Sequence, residues 1–340
     1  MAKYIIKRIF YILIVFLLLS FLMYLIYNAI PFNRATWLAE QQKNAYKNDP
    51  QGFEELKQFY IAKLGMDHNV FERYLMWLGL KPLQGKYQGI LQGNFGVSYN
   101  NGQRPVLDVL KEPMKVTIEV NIFATILALG ITIPLGIFCA VKKGSKRDTA
   151  IQVGSIVGYS MPEFILAILF IFLFAILIPL FPISGMGTPG ANYTGFQKFA
   201  DTMKYMALPL IVMTFCSLGG MTRYVRASMI EALSMDCIRT ARAKGLSEKV
   251  VIYSHAWRNA LIPVVTLVVG WFLGIFSGSV MIENIFGIEG MGKIYIFALN
   301  NNDYDVVLTL QMFYVFIGLA GNLIIDLLYG IIDPRVRVSA

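Results

Sequence analysis

Six stretches of this 340-residue chain run apolar for roughly 17 residues or more, the length at which a helix crosses a bilayer. They are Ile9–Ile30, Val116–Val141, Ile151–Leu180, Tyr205–Met221, Leu261–Ile282 and Val306–Ile332. Inside hydrocarbon every backbone N–H and C=O must be bonded within its own segment, so such runs have to be helices. The composition agrees. The chain is 56% hydrophobic and only 15% charged, against about 25% charged for a soluble domain, and its mean hydropathy is +0.57. A net charge of +9 would suggest nucleic acid in a soluble protein. Here the cations sit mainly in loops, where topology and anionic lipid headgroups account for them, and no nucleic-acid partner is expected.

The order of polar and apolar segments gives the organisation. Lys3, Lys7 and Arg8 precede the first run, which is too long for a signal peptide and lacks an Ala-x-Ala end. Residues 1–30 therefore form an uncleaved first span. Residues 31–113 are polar and form an insertion on the far side of the membrane, with helical pieces expected at Phe53–Leu64 and Val70–Leu78 and turns in the Gly-rich stretch from Gly85 to Gly102. A core of five helices occupies 114–332, and 333–340 is a tail. In the third run Pro162 removes a backbone donor and should kink or break the helix. Sixteen of the thirty Lys and Arg lie in the N-terminus, the Lys142–Arg147 loop, the segment 222–259 and the tail. The short loops opposite carry only Lys198, Lys204 and Lys293. The bias places both termini in the cytoplasm. The predicted fold class is an all-α polytopic membrane protein with six transmembrane helices.

The cytoplasmic segment contains Arg239-Thr240-Ala241-Arg242-Ala243-Lys244-Gly245-Leu246-Ser247, followed by His255-Ala-Trp-Arg-Asn-Ala-Leu-Ile-Pro263. Ala241 and Gly245 are four apart and share a helix face, where small residues let another surface approach closely. Gly245 suits a helix C-terminus and Ser247 can cap a second helix running toward Trp257. A helix, a sharp turn and another helix displayed outside the membrane is what a transporter needs when a separate protein supplies its energy. Charge alone supports a simpler reading, a basic loop that sets topology by binding headgroups.

Sites for chemistry are sparse. Cys139, Cys216 and Cys237 form no close pair, the histidines are His68 and His255, and no His/Cys/carboxylate cluster has metal-ligand spacing. The pattern Gly-x4-Gly-Lys-Ser/Thr does not occur, so ATP hydrolysis is not expected of this chain, nor a catalytic residue, metal or cofactor. Ionisable residues inside spans are functional candidates by default. Asn322 and Asp326 share a face of the sixth run and either line a pathway or bond to a neighbouring helix or one another. Glu163 is a second candidate, or it bonds amides freed at the Pro162 kink. Glu119, Asn121 and Glu283 lie near span ends, within reach of the interface.

Taken in order, these residues resemble the permease subunits of binding-protein-dependent ABC importers of the peptide/nickel group, and within it the B-type oligopeptide and dipeptide permeases. The resemblance runs through Tyr4-Ile-Ile-Lys-Arg8, Gly93-Asn-Phe-Gly-Val-Ser98, Pro105-Val106, Pro134-Leu-Gly136, Ser160-Met-Pro-Glu-Phe164 and Arg239–Ser247. It continues in Asn259-Ala-Leu-Ile-Pro-Val-Val-Thr266, Asn322-Leu-Ile-Ile-Asp-Leu-Leu-Tyr329 and Asp333-Pro-Arg-Val-Arg337. In such permeases a cytoplasmic EAA loop, Glu-Ala-Ala, three residues, Gly, forms a coupling helix that sits in a groove of the ATPase. Aligned on Gly245, Arg239-Thr240-Ala241 stand at the first three positions, and Ala241, Ala243 and Gly245 match the Ala-x-Ala-x-Gly of the peptide/nickel version.

The resemblance implies the type I importer permease fold and a bacterial cell membrane. It implies a second homologous permease as partner, two ABC ATPase subunits that carry the ATP and Mg, and an extracytoplasmic peptide-binding protein, with lipid around the spans. It also implies ATP-driven uptake of peptides, with a nickel or metal-chelate importer as the alternative. A secondary transporter usually shows inverted repeats and broken helices, and the Pro162 break has no counterpart in a second half. A membrane enzyme or channel is disfavoured by the missing catalytic cluster.

Overall fold

In the computed structural model, residues 2–31, 33–47 and 49–332 are described. The Asp333–Arg337 motif and the tail lie outside them. The described residues fall into two compact units, one within Met1–Lys111 and Phe297–Phe316, the other within Glu112–Ile296 and Ile317–Ala340.

The first unit begins with α1 (Ala2–Ala29), followed by α2 (Arg34–Gln41), α3 (Pro50–Lys63) and α4 (Val70–Leu78). Each short helix starts where the sequence supplies a cap. Asn33 accepts from Thr36 N at 3.1 Å, Asp49 from Gly52 N at 2.9 Å with Pro50 next to it, and Asn69 from Glu72 N at 2.9 Å. The end of α1 packs on α4 through Tyr24, Tyr74 and Leu78, joined by Phe21 and Trp77. Ser20 Oγ and Tyr74 Oη are 2.6 Å apart. The Gly-rich stretch forms turns and two short antiparallel strands, β1 (Val97–Ser98) and β2 (Arg104–Pro105).

An ion pair holds this stretch to the start of the last helix. Arg34 donates to both carboxylate oxygens of Asp305 at 2.9 and 2.7 Å and lies 4.2 Å from the Tyr99 ring centre. Burial works to lower the Arg34 pKa, and the Asp305 carboxylate more than offsets it, so the net shift is upward. Val97 N also reaches Asp305, and Ser98 Oγ donates to Asp303 at 2.6 Å. Gly96 sits at φ +82°, and a Cβ there would meet the Asp305 carboxylate carbon at 2.6 Å. The glycine ending Gly93-Asn-Phe-Gly96 is thus required twice, by its backbone and by its neighbour.

The second unit is a helical membrane core. α5 (Val106–Val141) leads through a basic turn to α6 (Lys146–Ser160) and α7 (Glu163–Ile171), the latter prolonged by a π-helical turn over Phe172–Leu177. α6 and α7 are bent by 104° to one another. The cause is Pro162: the residue before a proline is pushed out of the helical region, and Met161 is extended at φ −86°, ψ 135°. α8 (Gly195–Ser234) follows, then α9 (Asp236–Ala243), α10 (Glu248–Val250), a π-helical turn over Val251–Ala256, and α11 (Trp257–Gly274). The chain finishes with α12 (Val280–Ile285), α13 (Met291–Asn300) and α14 (Tyr304–Ile332).

Five helices are long and apolar enough to cross a membrane, and the bent α6–α7 pair makes a sixth when counted as one broken span. The helices outrun the apolar stretches. α5 begins at Val106 and passes through Pro113, and α8 covers residues expected in the flanking loops on both sides of Tyr205–Met221. The fifth span stops at Gly274, and α12 is a separate helix. Two clusters form the core. One joins α5, α8, α9 and α11 through Ile137, Val225, Met229, Ile238 and Val264. The other joins α5, α7, α8 and α12 through Val120, Leu166, Leu208 and Ile282, with Phe286 just after α12. α6 crosses α8 at glycines: a Cβ on Gly158 would lie 2.9 Å from Phe215 O, and one on Gly219 2.5 Å from Ser155 O.

Candidate functional site

The segment Arg239–Ser247 folds locally as its residues demand. α9 is strongly two-sided. Ile238 and Ala241 face the core, while Asp236, Cys237, Arg239, Thr240, Arg242 and Ala243 are exposed. The helix ends at Gly245, φ +75°, with Gly245 N bonded to Arg242 O at 2.9 Å and Leu246 N to Ala241 O at 3.3 Å. This paired closure of the last carbonyls needs a left-handed residue, which glycine supplies at no steric cost. Ser247 takes the first cap position of α10, but its side chain makes no cap hydrogen bond. The turn is braced instead by Arg242, whose Nε and Nη2 donate to Glu248 at 2.8 and 3.2 Å. Glu248 raises the Arg242 pKa through these bonds.

One sequence expectation fails here. Ala241 and Gly245 do not offer a shared small face to a partner. Ala241 is 5% exposed and packs inside the chain with Val251 and Ala256. The accessible surface is the opposite one, formed by Thr240, Ala243, Lys244 and Gly245, with Leu246, Val250 and Tyr253 as its exposed apolar residues.

The polar residues of the spans also find places. Glu163 does not bond the amides at the kink; Pro162 O takes Ile165 N, and Glu163 Oε2 accepts from Ser279 Oγ at 3.2 Å. Asn322 is exposed and Asp326 half-buried on α14. Asn121 and Glu283 do not reach an interface but are buried. Asn121 donates to Ile275 O and Ser277 O, both at 2.9 Å. Glu283 accepts from Thr117 Oγ1 at 2.8 Å, Gly292 N at 2.6 Å and Lys293 N at 3.1 Å, and Thr117 Oγ1 takes Met291 N at 2.8 Å. The carboxylate thus satisfies the free amides at the start of α13, where the helix dipole favours negative charge.

A further polar contact ties the first turn of α6 to α8. Arg226 donates through Nε and Nη2 to the two oxygens of Asp148 at 2.9 and 2.8 Å, and Gly144 N adds 2.9 Å. Asp148 is 2% exposed. Among the described residues no three His, Cys, Asp or Glu side chains gather as metal ligands would.

Comparison with known proteins fits this geometry. Residues 132–338 match the family described as binding-protein-dependent transport system inner membrane component, and residues 1–121 match its N-terminal companion. The chain belongs to this permease family. Similar relatives include the oligopeptide transport system permease protein AppB of Bacillus subtilis, 32% identical over 99% of this chain and 100% of the relative. The dipeptide transport system permease protein DppB of Lactococcus lactis is 33% identical over the same shares, and DppB of Escherichia coli K12 is 35% identical over 82% and 84%. Among solved structures, the inward-facing MetNI methionine ABC transporter aligns with a TM-score of 0.50 at 16% identity, covering 65% of this chain and 96% of that one. The likeness is one of fold, the ABC importer membrane fold.

Within this ABC transporter permease, sequence reasoning missed Arg226, Asp148 and Thr117 as structural polar residues. Arg226 and Asp148 lie 78 positions apart, and Thr117 and Glu283 lie 166 apart. Only the apolar setting of Glu283 gave a signal.

Proposed function

We propose that this chain is one of two permease subunits of an ATP-driven peptide importer. The observation that carries the reading is end-to-end similarity to relatives named oligopeptide and dipeptide transport permeases, joined to a helix and glycine turn exposed beside the membrane core. The partner is a second, homologous permease. Two ATPase subunits hold ATP and Mg, and an extracytoplasmic binding protein delivers the peptide. Both termini are cytoplasmic, as the distribution of Lys and Arg supports. The organisation into a first span, the 31–113 insertion, the 114–332 core and the 333–340 tail belongs to the same proposal.

Coupling runs through Arg239–Ser247. Closure of the ATPases displaces α9 and its turn. Because Ile238 and Ala241 are packed against α8 and the π-helical turn that leads into α11, the displacement is passed to two spans. Each ligand must favour one state of the permease for this to drive transport. Ala241 serves inward, as the knob that joins α9 to the core, and Ala243, Lys244, Gly245 and Leu246 face the ATPase. Glu163, Asn322 and Asp326 are the polar residues through which the spans line the pathway or bond one another.

The test is uptake in a strain carrying only this system. Labelled peptides of varied length compete with nickel and with metal chelates. Peptide uptake that requires the ATPase partners supports the reading. Uptake of the metal species with none of the peptides removes the peptide assignment and leaves the importer intact.

A further inference from the structure

The first unit holds a half-open cavity of about 270 Å³ that the transport reading does not use. Its wall is built from the last turns of α1 (Tyr24, Asn28), from α4 (Arg73, Trp77) and from the first turn of α14 (Tyr304, Asp305). Both α1 and α14 are membrane-spanning candidates, and the cavity lies where these two stop. Tyr and Trp concentrate at that depth because an apolar ring with a polar edge suits the headgroup layer.

The charge on the wall is not balanced. Arg34 also lines the cavity, and Arg34 and Asp305 close on one another in a two-pronged pair. That leaves Arg73. It donates through one terminal nitrogen to the amide oxygen of Asn28, a neutral acceptor, and lies beside the neutral hydroxyl of Tyr24. Among the described residues no carboxylate lies within ion-pair distance of Arg73. A half-buried guanidinium keeps unused donors in a planar fork, and such a fork matches the oxygens of a phosphate.

We infer that this cavity binds a phosphate-bearing anion, with Arg73 as the charged contact and Asn28 holding the guanidinium in place. The favoured source is the headgroup of an anionic phospholipid. The volume sits just below the usual range of about 300–1,000 Å³ for small-ligand pockets, so it admits a headgroup and leaves the acyl chains in the membrane. The rings of Tyr24, Trp77 and Tyr304 supply the apolar wall beside it.

The experiment uses the full chain in its purified complex, stripped of lipid. Native mass spectrometry compares retention of phosphatidylglycerol with phosphatidylcholine. The wild type is expected to retain phosphatidylglycerol preferentially. Arg73→Gln is expected to bind it on the order of tenfold more weakly, as loss of a charged hydrogen bond implies, and Arg73→Lys to keep part of the preference. Glycerol phosphate and inorganic phosphate form the second arm: stabilisation of the wild type but not of Arg73→Gln by these ions, without lipid preference, assigns the same site to a free anion. As a check that needs no substitution, a photoactivatable phosphatidylglycerol should label peptides containing Tyr24–Asn28, Arg73–Trp77 or Tyr304–Leu308. Equal retention by wild type and Arg73→Gln, or labelling elsewhere only, overturns the assignment.

Discussion

Two alanines two positions apart on α9 should respond to the same substitution in opposite ways. Ala243 is exposed, and Ala241 is 5% exposed inside a cluster with Ile238, Val251 and Ala256. Ala243→Trp adds its rings to solvent in the free subunit, so the chain's own stability should move by no more than about 0.5 kcal/mol. If α9 docks on the ATPase as proposed, the same rings stand between the two in the assembled importer. Loss of a central contact costs about 2 kcal/mol or more, which is roughly a 30-fold weaker engagement. Ala241→Trp forces rings into a filled core, where even modest overpacking costs about 1–3 kcal/mol. That is a large part of a stability of about 5–15 kcal/mol. The assay has two readouts: thermal unfolding of the isolated permease in detergent, and ATPase stimulation with peptide uptake in the reconstituted complex. Ala243→Trp should keep the melting temperature and lose stimulated ATPase activity and uptake. Ala241→Trp should lower the melting temperature first. Normal uptake by Ala243→Trp, or equal loss of stability by both, would refute the assignment of faces.

Gly245→Leu should strain the left-handed turn by about 1–2 kcal/mol, with no clash at Cβ, and should cut uptake more than membrane insertion; quantitative blots beside transport assays check it. Arg226→Ala leaves the buried Asp148 carboxylate with only Gly144 N and a long contact from Gln152 Nε2, and should cost about 2–4 kcal/mol, read as a lower unfolding temperature that Arg226→Ala/Asp148→Ala partly restores. Asp303 is buried, which raises its pKa against the pull of Ser98, so its charged form opposes folding. Asp303→Asn should therefore be stabilising near neutral pH, with the advantage shrinking as pH falls through the raised folded value toward the ordinary Asp range; thermal unfolding across that range measures it. A cysteine at Ser145 should be labelled only from the cytoplasmic side, and labelling from outside would reverse the topology.

Much of the fold is legible because a bilayer leaves few choices. Run length and loop charge were enough to expect the spans, and Pro162 announced the 104° break through its own chemistry. Element ends were not legible in the same way. Hydropathy reports which residues meet lipid, whereas a helix continues for as long as its backbone bonds are made. α8 therefore runs thirteen residues beyond Met221 into charged sequence, since Thr222, Arg226 and Ala232 are as helical as the apolar residues before them. The π-helical turn at Val251–Ala256 had no sequence signal, because nothing in that composition asks for a wider turn.

The segment Arg239–Ser247 shows where local chemistry ends and tertiary packing begins. Gly245 was readable because a left-handed residue is a property of one position. The direction in which Ala241 points was not, because it depends on which surface α8 and the π-helical turn at Val251–Ala256 present to α9. A partner cannot be the reason for a small residue that its own chain already covers. Alanine at 241 is small because Val251 and Ala256 lie against it. In the proposed mechanism, the packing that hides it also makes α9 move with the spans. A helix displayed only to its partner could follow the ATPase without moving anything in the membrane. Under the proposed coupling, the inward alanine belongs to energy transfer as much as the outward surface does, although the two act through different contacts and fail through different measurements.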